Sequence, residues 1–291
     1  ALLSRLNRSK EIDQIILATS TDQRNNPLVK YVSELGYIVF QGSENDVLER
    51  FYQAVIKQKL DVVVRITGDC PLIDPDIVDA VIKAYKSGHL DYVSNTNPPT
   101  YPDGMDVEVF SFSALEIAHK QATEAKEREH VTPYLRKPGL FEIGNVTNEG
   151  DYSGERWTVD EPEDYEVVKA IFDHFAPRIY FGWREVLQLK ISHPALFLAN
   201  QHLSRNEGGV MGTGQKLWQR AKRVIPGGNM LLSKRAEMFL PNQWPTYYSK
   251  AKGCKVWDLD GVEYVDMSIM GIGTNILGYG HPEVDEAVMN A

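Results

Sequence analysis

Asp69 has the most favourable position for chemistry, because it follows a run of mostly β-branched residues at Val62–Thr67. Such a run predicts a buried strand that ends at Gly68. Open α/β sheets bind ligands just beyond the carboxyl ends of their strands. The position therefore predicts that Asp69 holds a divalent metal over a nucleotide triphosphate. The spacing fits equally well a carboxylate that only caps a turn.

Asp160 ends a second predicted strand, Arg156–Val159, in the same sense. Because parallel strands end at one edge of a sheet, we expect Asp69 and Asp160 to meet there. Two carboxylates suit Mg²⁺, which fills its other positions with water and phosphate oxygens. Such an ion stabilises charge on a reacting phosphorus. The alternative role for Asp160 is an N-cap, since a helix start follows at Pro162.

The stretch Tyr101–Glu108 carries the acidic residues Asp103, Asp106 and Glu108 around a flexible Gly104. This arrangement fits hydrogen bonding to sugar hydroxyls. It fits equally a turn followed by a solvated strand face.

Two further polar stretches have a functional and a structural interpretation. Gly42–Asp46 is either a nucleotide-facing loop or a helix N-cap, and Arg128–His130 binds an anion or forms a salt-bridge cluster. The candidate binding residues are therefore Gly42, Ser43, Asp46, Gly68, Asp103, Gly104, Glu108, Arg128 and His130.

Strands alternate with helices along the first 175 residues, which predicts a parallel sheet with right-handed crossovers. The predicted strands are 12–19, 37–40, 62–67, 91–95, 105–110, 141–146 and 156–160. The predicted helices are 27–35, 46–58, 75–85, 113–122, 128–136 and 162–175.

The charge of the chain is uneven. Residues 200–291 contain 10 Lys+Arg and 9 Asp+Glu, which leaves 21 and 31 for residues 1–199 out of totals of 31 and 40. An acidic first part argues against nucleic-acid binding, which needs a basic face. No apolar run is long enough to span a bilayer. Two distant cysteines form no disulfide framework, so we expect a cytoplasmic setting.

The helix–strand pattern weakens near residue 180 and resumes after a polar, glycine-containing stretch. A basic helix at 216–224, a hairpin at 255–266 about Asp260–Gly261, and a glycine-rich stretch from Gly271 to Gly280 follow. The chain begins without Met inside a helical pattern and stops at Ala291 inside another. We therefore expect an internal fragment.

Five ordered stretches in residues 1 to about 175 resemble the cytidylyltransferase-like proteins of spore-coat polysaccharide biosynthesis. These are relatives of the enzymes that make CMP-activated acidic sugars. The stretches are Gly42–Arg50, Arg65–Asp74, Tyr101–Phe110, Glu127–Tyr134 and Arg156–Asp164.

The resemblance implies a nucleotide-diphospho-sugar transferase (Rossmann-like) α/β fold. It implies attack of a sugar hydroxyl on the α-phosphorus of CTP, with release of pyrophosphate. Mg²⁺ binding in better-known relatives implies that role for Asp69 and Asp160, and we take both, with Arg65, as candidate catalytic residues. The family's first strand and Gly-rich loop would precede Ala1. The resemblance thus implies a sheet truncated at its first strand, and we expect no CTP turnover by the fragment.

Residues from about 215 to 291 resemble the start of glutamate-1-semialdehyde aminomutase-like, class III aminotransferases. The matching stretches are Pro226–Gly228, Lys255–Asp266 and Leu277–Val284. The lysine that binds pyridoxal phosphate (PLP) in that family lies far downstream, and Lys255 begins a predicted strand and does not replace it. We expect PLP only in an intact fusion.

The domains predicted from these resemblances are 1–180 (cytidylyltransferase-like), 181–214 (linker) and 215–291 (aminotransferase segment). CTP and a sugar are the expected partners, and a homodimer is an open possibility. Two alternative functions stay open: a PLP-dependent aminotransferase with a nucleotide-sugar-binding domain, and a glycosyltransferase of similar fold.

Overall fold

The structure is a computed structural model that describes residues 1–203, 212–229, 235–238, 244–267 and 275–290. The chain forms two compact units, Ala1–Arg205 and Asn206–Ala291. Gly271 and Gly273 of the predicted glycine-rich stretch lie outside the described residues.

The first unit alternates helices and strands over most of its length. Its helices are α1 Leu2–Leu6, α2 Asn26–Glu34, α3 Val47–Gln58, α4 Pro75–Gly88, α5 Phe112–Gln121, α6 Ala125–His130, α7 Pro162–Phe175 and α8 Trp183–Ser192. Its strands are β1 Ile16–Ser20, β2 Ile38–Gly42, β3 Val62–Arg65, β4 Tyr92–Ser94, β5 Glu108–Ser111 and β6 Ile143–Asn145.

The strands form two sheets. Strands β1 and β2 pair in parallel, and the second sheet has the order β3-β5-β4-β6. Strand β5 runs antiparallel to both β3 and β4, whereas β4 and β6 are parallel. The prediction of a wholly parallel sheet is therefore wrong at β5. The chain between β4 and β5 is a loop without a crossover helix, and such a connection joins antiparallel strands.

Helices cover both faces of the four-stranded sheet, because side chains alternate along each strand. Val63 and Phe110 face one side, where they belong to a core cluster with Leu48 of α3. Val64 and Val109 face the other side, where Ile171 of α7 packs. Helix α4 lies on this second side as well, and its periodic apolar residues belong to the same cluster.

Two predicted elements differ from the observed ones. Residues 156–160 form no strand, and Arg156 makes only an isolated bridge with Asp103. The predicted helix 128–136 is instead α6, which ends at His130 because Val131 adopts a positive φ of 69°.

Residues 181–203 are part of the first unit, although residues 181–214 were predicted to be a linker. Phe181, Trp183 and Leu189 are buried in its core, since α8 presents apolar residues at helical spacing. Arg5 donates to the carbonyl of Phe181 at 2.8 Å and to that of Ile73 at 2.8 Å. This segment is therefore part of the folded unit.

In the described part of the second unit, α9 Thr213–Val224 and α10 Pro282–Met289 accompany an antiparallel sheet of β7 Tyr248–Lys252, β8 Lys255–Asp258 and β9 Glu263–Val265. The hairpin prediction is confirmed by the pairing of β8 with β9. Among the described residues of the whole chain, no helix combines the length and apolar content needed to cross a membrane.

Candidate active site

Asp69 and the segment before Asp160 lie side by side. Beyond β3, the carbonyl oxygen of Asp69 accepts the amide of Val159 at 2.9 Å and the hydroxyl of Thr158 at 3.2 Å. The two segments thus meet through loop hydrogen bonds, and the prediction of a second strand at 156–160 is wrong.

Neither carboxylate has the capping role that the sequence left open. No backbone N–H in the described part of the chain donates to the Asp69 carboxylate, which receives the Cys70 thiol at 3.4 Å. Helix α7 has Glu161 as its N-cap. The side chain that accepts the amides of Asp160 and Glu161, at 3.2 and 3.0 Å, is Asp164.

A buried guanidinium, Arg156, holds the acidic cluster together. It donates to both oxygens of Asp164 at 2.9 and 2.8 Å and to Asp160 Oδ2 at 3.0 Å. Its Nη1 lies 3.5 Å from Asp103 Oδ2. Sequence reasoning missed Arg156 as a site residue. The available signal was the four-residue spacing of Arg156, Asp160 and Asp164.

The charges of the cluster do not fully cancel. Burial, and next the neighbouring Asp69 carboxylate, raise the pKa of Asp160 to about 6, although Arg156 opposes the shift. Burial alone would raise the pKa of Asp164, but hydrogen bonds from Arg156 and Asn200 lower it below its ordinary value. A divalent cation would relieve the repulsion that Asp160 experiences.

The donor set fits Mg²⁺. Within the described ranges, no group of three or more His, Cys, Asp or Glu side chains has the arrangement of a metal cage. Mg²⁺ is typically bound by one or two carboxylates and keeps water and phosphate oxygens in its other positions. Asp69 and Asp160 are such a pair of hard oxygen donors.

The loop with Asp103 and Gly104 is joined to the segment that carries Arg156. Asp103 donates its amide to the carbonyl of Glu155 at 2.8 Å and accepts the amide of Trp157 at 2.9 Å. Gly104 has a φ of +94°, and a Cβ there would lie 2.7 Å from the carbonyl of Trp157. Glycine is required at this close approach, which brings Asp103 into the cluster. Gly68 lies exposed in the turn before Asp69.

Glu108 and Arg65 bind each other and not a solvated ligand surface. Glu108 is buried, forms an ion pair with Arg65 and accepts the hydroxyl of Tyr92 at 2.6 Å. Burial is the largest single influence and raises the pKa of Glu108, but Arg65 and the hydroxyl of Tyr92, together with weaker contributions from Arg136 and Thr132, lower the pKa below its ordinary value. The alternative of a solvated strand face is therefore wrong for Glu108, and its binding of a sugar hydroxyl stays a prediction.

Asp46, at the end of the Gly42–Asp46 stretch, and Arg128 join α3 to α6 through an ion pair. Asp46 caps α3 through the amide of Glu49 at 2.9 Å and accepts Arg128 Nη2 at 2.6 Å. Ser43 Oγ accepts the amide of Asp46 at 3.0 Å, directly after Gly42 ends β2. Half-buried His130 ends α6. The salt-bridge and N-cap alternatives describe Arg128 and Asp46.

Asn200 is a further residue that sequence reasoning missed. Its Nδ2 donates to the carbonyl of Arg156 at 3.0 Å and to Asp164 Oδ1 at 2.9 Å. Nothing in the local sequence signals this role, because the contact depends on the fold of residues 181–203.

The helix-covered mixed sheet of the first unit has the nucleotide-diphospho-sugar transferase fold, as superposition on a solved cytidylyltransferase shows. The chain belongs to the cytidylyltransferase family, whose family model matches residues 1–174. The spore coat polysaccharide biosynthesis protein SpsF of Bacillus subtilis is 32% identical over 189 residues, 64% of this chain and 78% of that protein. A cytidylyltransferase structure from Leptospira borgpetersenii superposes with a TM-score of 0.64 and 31% identity, covering 67% of this chain and 83% of that one. The family and fold define a CTP-using nucleotidyltransferase.

The remaining part of the chain is similar to a different class. A glutamate-1-semialdehyde 2,1-aminomutase of Acetivibrio thermocellus is 43% identical over 79 residues, which are 27% of this chain and 18% of that protein. Lys255 begins β8, and its Nζ lies 2.6 Å from the Glu263 carboxylate, which raises the pKa of the lysine. A charged, paired ammonium does not fit the lysine that a PLP enzyme needs.

Proposed function

We propose that this chain carries the metal-binding carboxylates of an enzyme that transfers CMP from CTP to a sugar hydroxyl for surface-polysaccharide synthesis. The supporting observation is the approach of Asp69 and Asp160 beyond β3, in a chain of the cytidylyltransferase family. The printed name of the B. subtilis relative supports a polysaccharide pathway. In the reaction, the sugar oxygen forms a bond to the α-phosphorus and the bond from that phosphorus to the α–β bridging oxygen breaks. Pyrophosphate leaves with the bridging oxygen, and the hydroxyl proton passes to water.

In this proposal, Asp69 and Asp160 hold Mg²⁺. When bound, the ion supplies positive charge that offsets the triphosphate and the charge developing at phosphorus. Arg156 orients Asp160 through its 3.0 Å hydrogen bond, and its pairing with Asp164 fixes the guanidinium in place. Half-buried Asp106, whose charge acts on the Cys70 thiol, and Asp103 are the groups that we assign to the sugar.

Arg65 and the Gly42–Ser43 stretch have supporting roles in the proposal. Arg65 ends β3 and is fixed by Glu108, so it stabilises the strand end from which Gly68 and Asp69 project. Gly42 ends β2 and Ser43 follows it, at the carboxyl end of a parallel pair, which is the edge at which α/β sheets bind ligands. We assign them to the nucleotide side of the site.

The test is CTP-dependent pyrophosphate release with a panel of acidic and neutral sugars. We would assay the chain itself and a fusion in which the amino-terminal segment of the B. subtilis relative precedes Ala1. Release that is lost in Asp69→Asn and Asp160→Asn but kept in the exposed Asp173→Asn supports the proposal. Release that survives in Asp69→Asn and Asp160→Asn contradicts the site. Sugar transfer from a nucleotide-sugar donor without pyrophosphate release would indicate a glycosyltransferase.

A second candidate function concerns the second unit. Its similarity to aminomutases supports an aminotransferase-like domain that needs further residues to bind PLP. We expect the chain to show no absorbance band of a lysine–PLP adduct. A band that disappears in Lys255→Met would overturn this expectation.

A further inference from the structure

Asn200 contacts both residues that hold Asp160. It is buried, with 5% of its surface exposed, and its single side-chain amide nitrogen bonds Arg156 and Asp164. These acceptors are a main-chain carbonyl and a carboxylate oxygen, so both require an N–H donor at this position. An oxygen in place of Nδ2 would face two acceptors.

The network continues from these two residues to Asp160. Arg156 Nη2 donates to the Asp160 carboxylate at 3.0 Å, and Asp164 Oδ2 accepts the Asp160 amide at 3.2 Å. Asp160 is thus held at its side chain and at its main chain by the two partners of Asn200. Asp164 is fully buried, so a lost hydrogen bond there is not replaced by bulk water.

The segment that carries Asn200 packs against the core of the first unit. Phe197, three residues earlier, is 3% exposed within the core, and Leu203 donates its amide to the Asn200 carbonyl at 3.0 Å. Further back, Asp74 accepts the amide of Trp183 at 2.8 Å. Phe197 and Trp183 thus anchor this segment in the core, and the hydrogen bond from Asn200 to Asp164 connects it to α7.

We propose that Asn200 is a positioning residue of the metal site, supplied by the segment 193–203 that follows the sheet. It acts through Arg156 and Asp164 and touches neither metal nor substrate. The inference rests on the proposed function, in which Asp160 is a metal ligand. Residues behind metal ligands typically change metal affinity by 10–100-fold when they are replaced.

The test uses Mn²⁺ as the probe, because the electron paramagnetic resonance signal of free Mn²⁺ reports binding without turnover. Asn200→Asp is expected to weaken Mn²⁺ binding to the chain by about tenfold. Asn200→Ala removes the donor without adding charge and is expected to weaken binding less. Val186→Ala, in the buried face of α8, is the control for a general loss of stability and is expected to leave the affinity unchanged.

The outcomes separate the inference from the proposed function. Absence of Mn²⁺ binding to the unaltered chain, or binding that survives in Asp160→Asn, contradicts the metal site itself. Binding that is lost in Asp160→Asn but equal in the unaltered chain and both Asn200 variants overturns the positioning role alone. An equal loss of affinity in Val186→Ala also overturns it, because general loosening would then explain the effect.

Discussion

The carbonyl oxygen of Asp69 accepts the amide of Val159 at 2.9 Å. This single hydrogen bond sets the turn after β3 against the residue that precedes Asp160. The carboxylates of Asp69 and Asp160 therefore lie near each other. Their electrostatic repulsion favours binding of a cation, on which the proposed site depends.

Removal of one of these charges is expected to stabilise the metal-free protein. In Asp160→Asn the amide oxygen still accepts from Arg156, while the charge that faces Asp69 disappears. We expect the free energy of unfolding at pH 7 to rise by about 1 kcal/mol, and stabilisation by Mg²⁺ to be lost. Thermal unfolding with and without Mg²⁺ measures both. A destabilised variant that still responds to Mg²⁺ would contradict the site.

The pH dependence of stability provides an independent check. The pKa of Asp160 is raised in the folded state from 3.8 to about 6, so between these values the folded protein keeps a proton that the unfolded chain releases. The contribution of this carboxyl is therefore present at low pH and is lost as the pH rises to about 6. Melting temperatures of the unaltered chain and of Asp160→Asn should diverge from pH 4 to pH 7. A constant difference would refute this.

Arg156 is expected to be a major determinant of stability. Arg156→Lys keeps the charge but loses the paired donors that bind Asp164, and lysine does not replace arginine at such a site. We expect a loss of about 3 kcal/mol in urea unfolding, within the range for breaking a buried pair. The matched control is Arg178→Lys, whose partner Glu185 is exposed, with an expected change below about 1 kcal/mol. Equal effects would argue against the buried network.

Gly104 and Gly36 form a matched pair of glycines. Both have positive φ, but a Cβ at Gly36 meets nothing within 4 Å, whereas one at Gly104 meets the backbone of Trp157 at 2.7 Å. Gly36→Ala should cost about 1 kcal/mol for the left-handed backbone alone. Gly104→Ala should cost about 3 kcal/mol and should weaken Mn²⁺ binding, since Asp103 must move. Similar costs in urea unfolding would show that the close approach is unimportant.

The sequence determined most of the elements and pointed to the carboxylates Asp69 and Asp160, although Asp160 does not follow a strand. Helices α4 and α7 were predicted closely, because Pro75 and Pro162 mark their starts and their apolar residues recur with helical periodicity. Asp69 was identifiable because a β-branched run and the following turn are local signals. Family resemblance added the cytidylyltransferase assignment, which the family match confirms.

Only the tertiary structure decided how the carboxylates are held. Arg156, Asp164 and Asn200 share one buried network, but Asn200 is separated from Arg156 by 44 positions and lies in a segment predicted to be a linker. Glu108 likewise alternates with apolar residues as a solvated strand face would, yet Arg65 lets it be buried. An alternating pattern predicts that a polar side chain is exposed. Whether it is buried instead depends on a charge partner that offsets the desolvation cost, and long-range packing decides which residue that partner is.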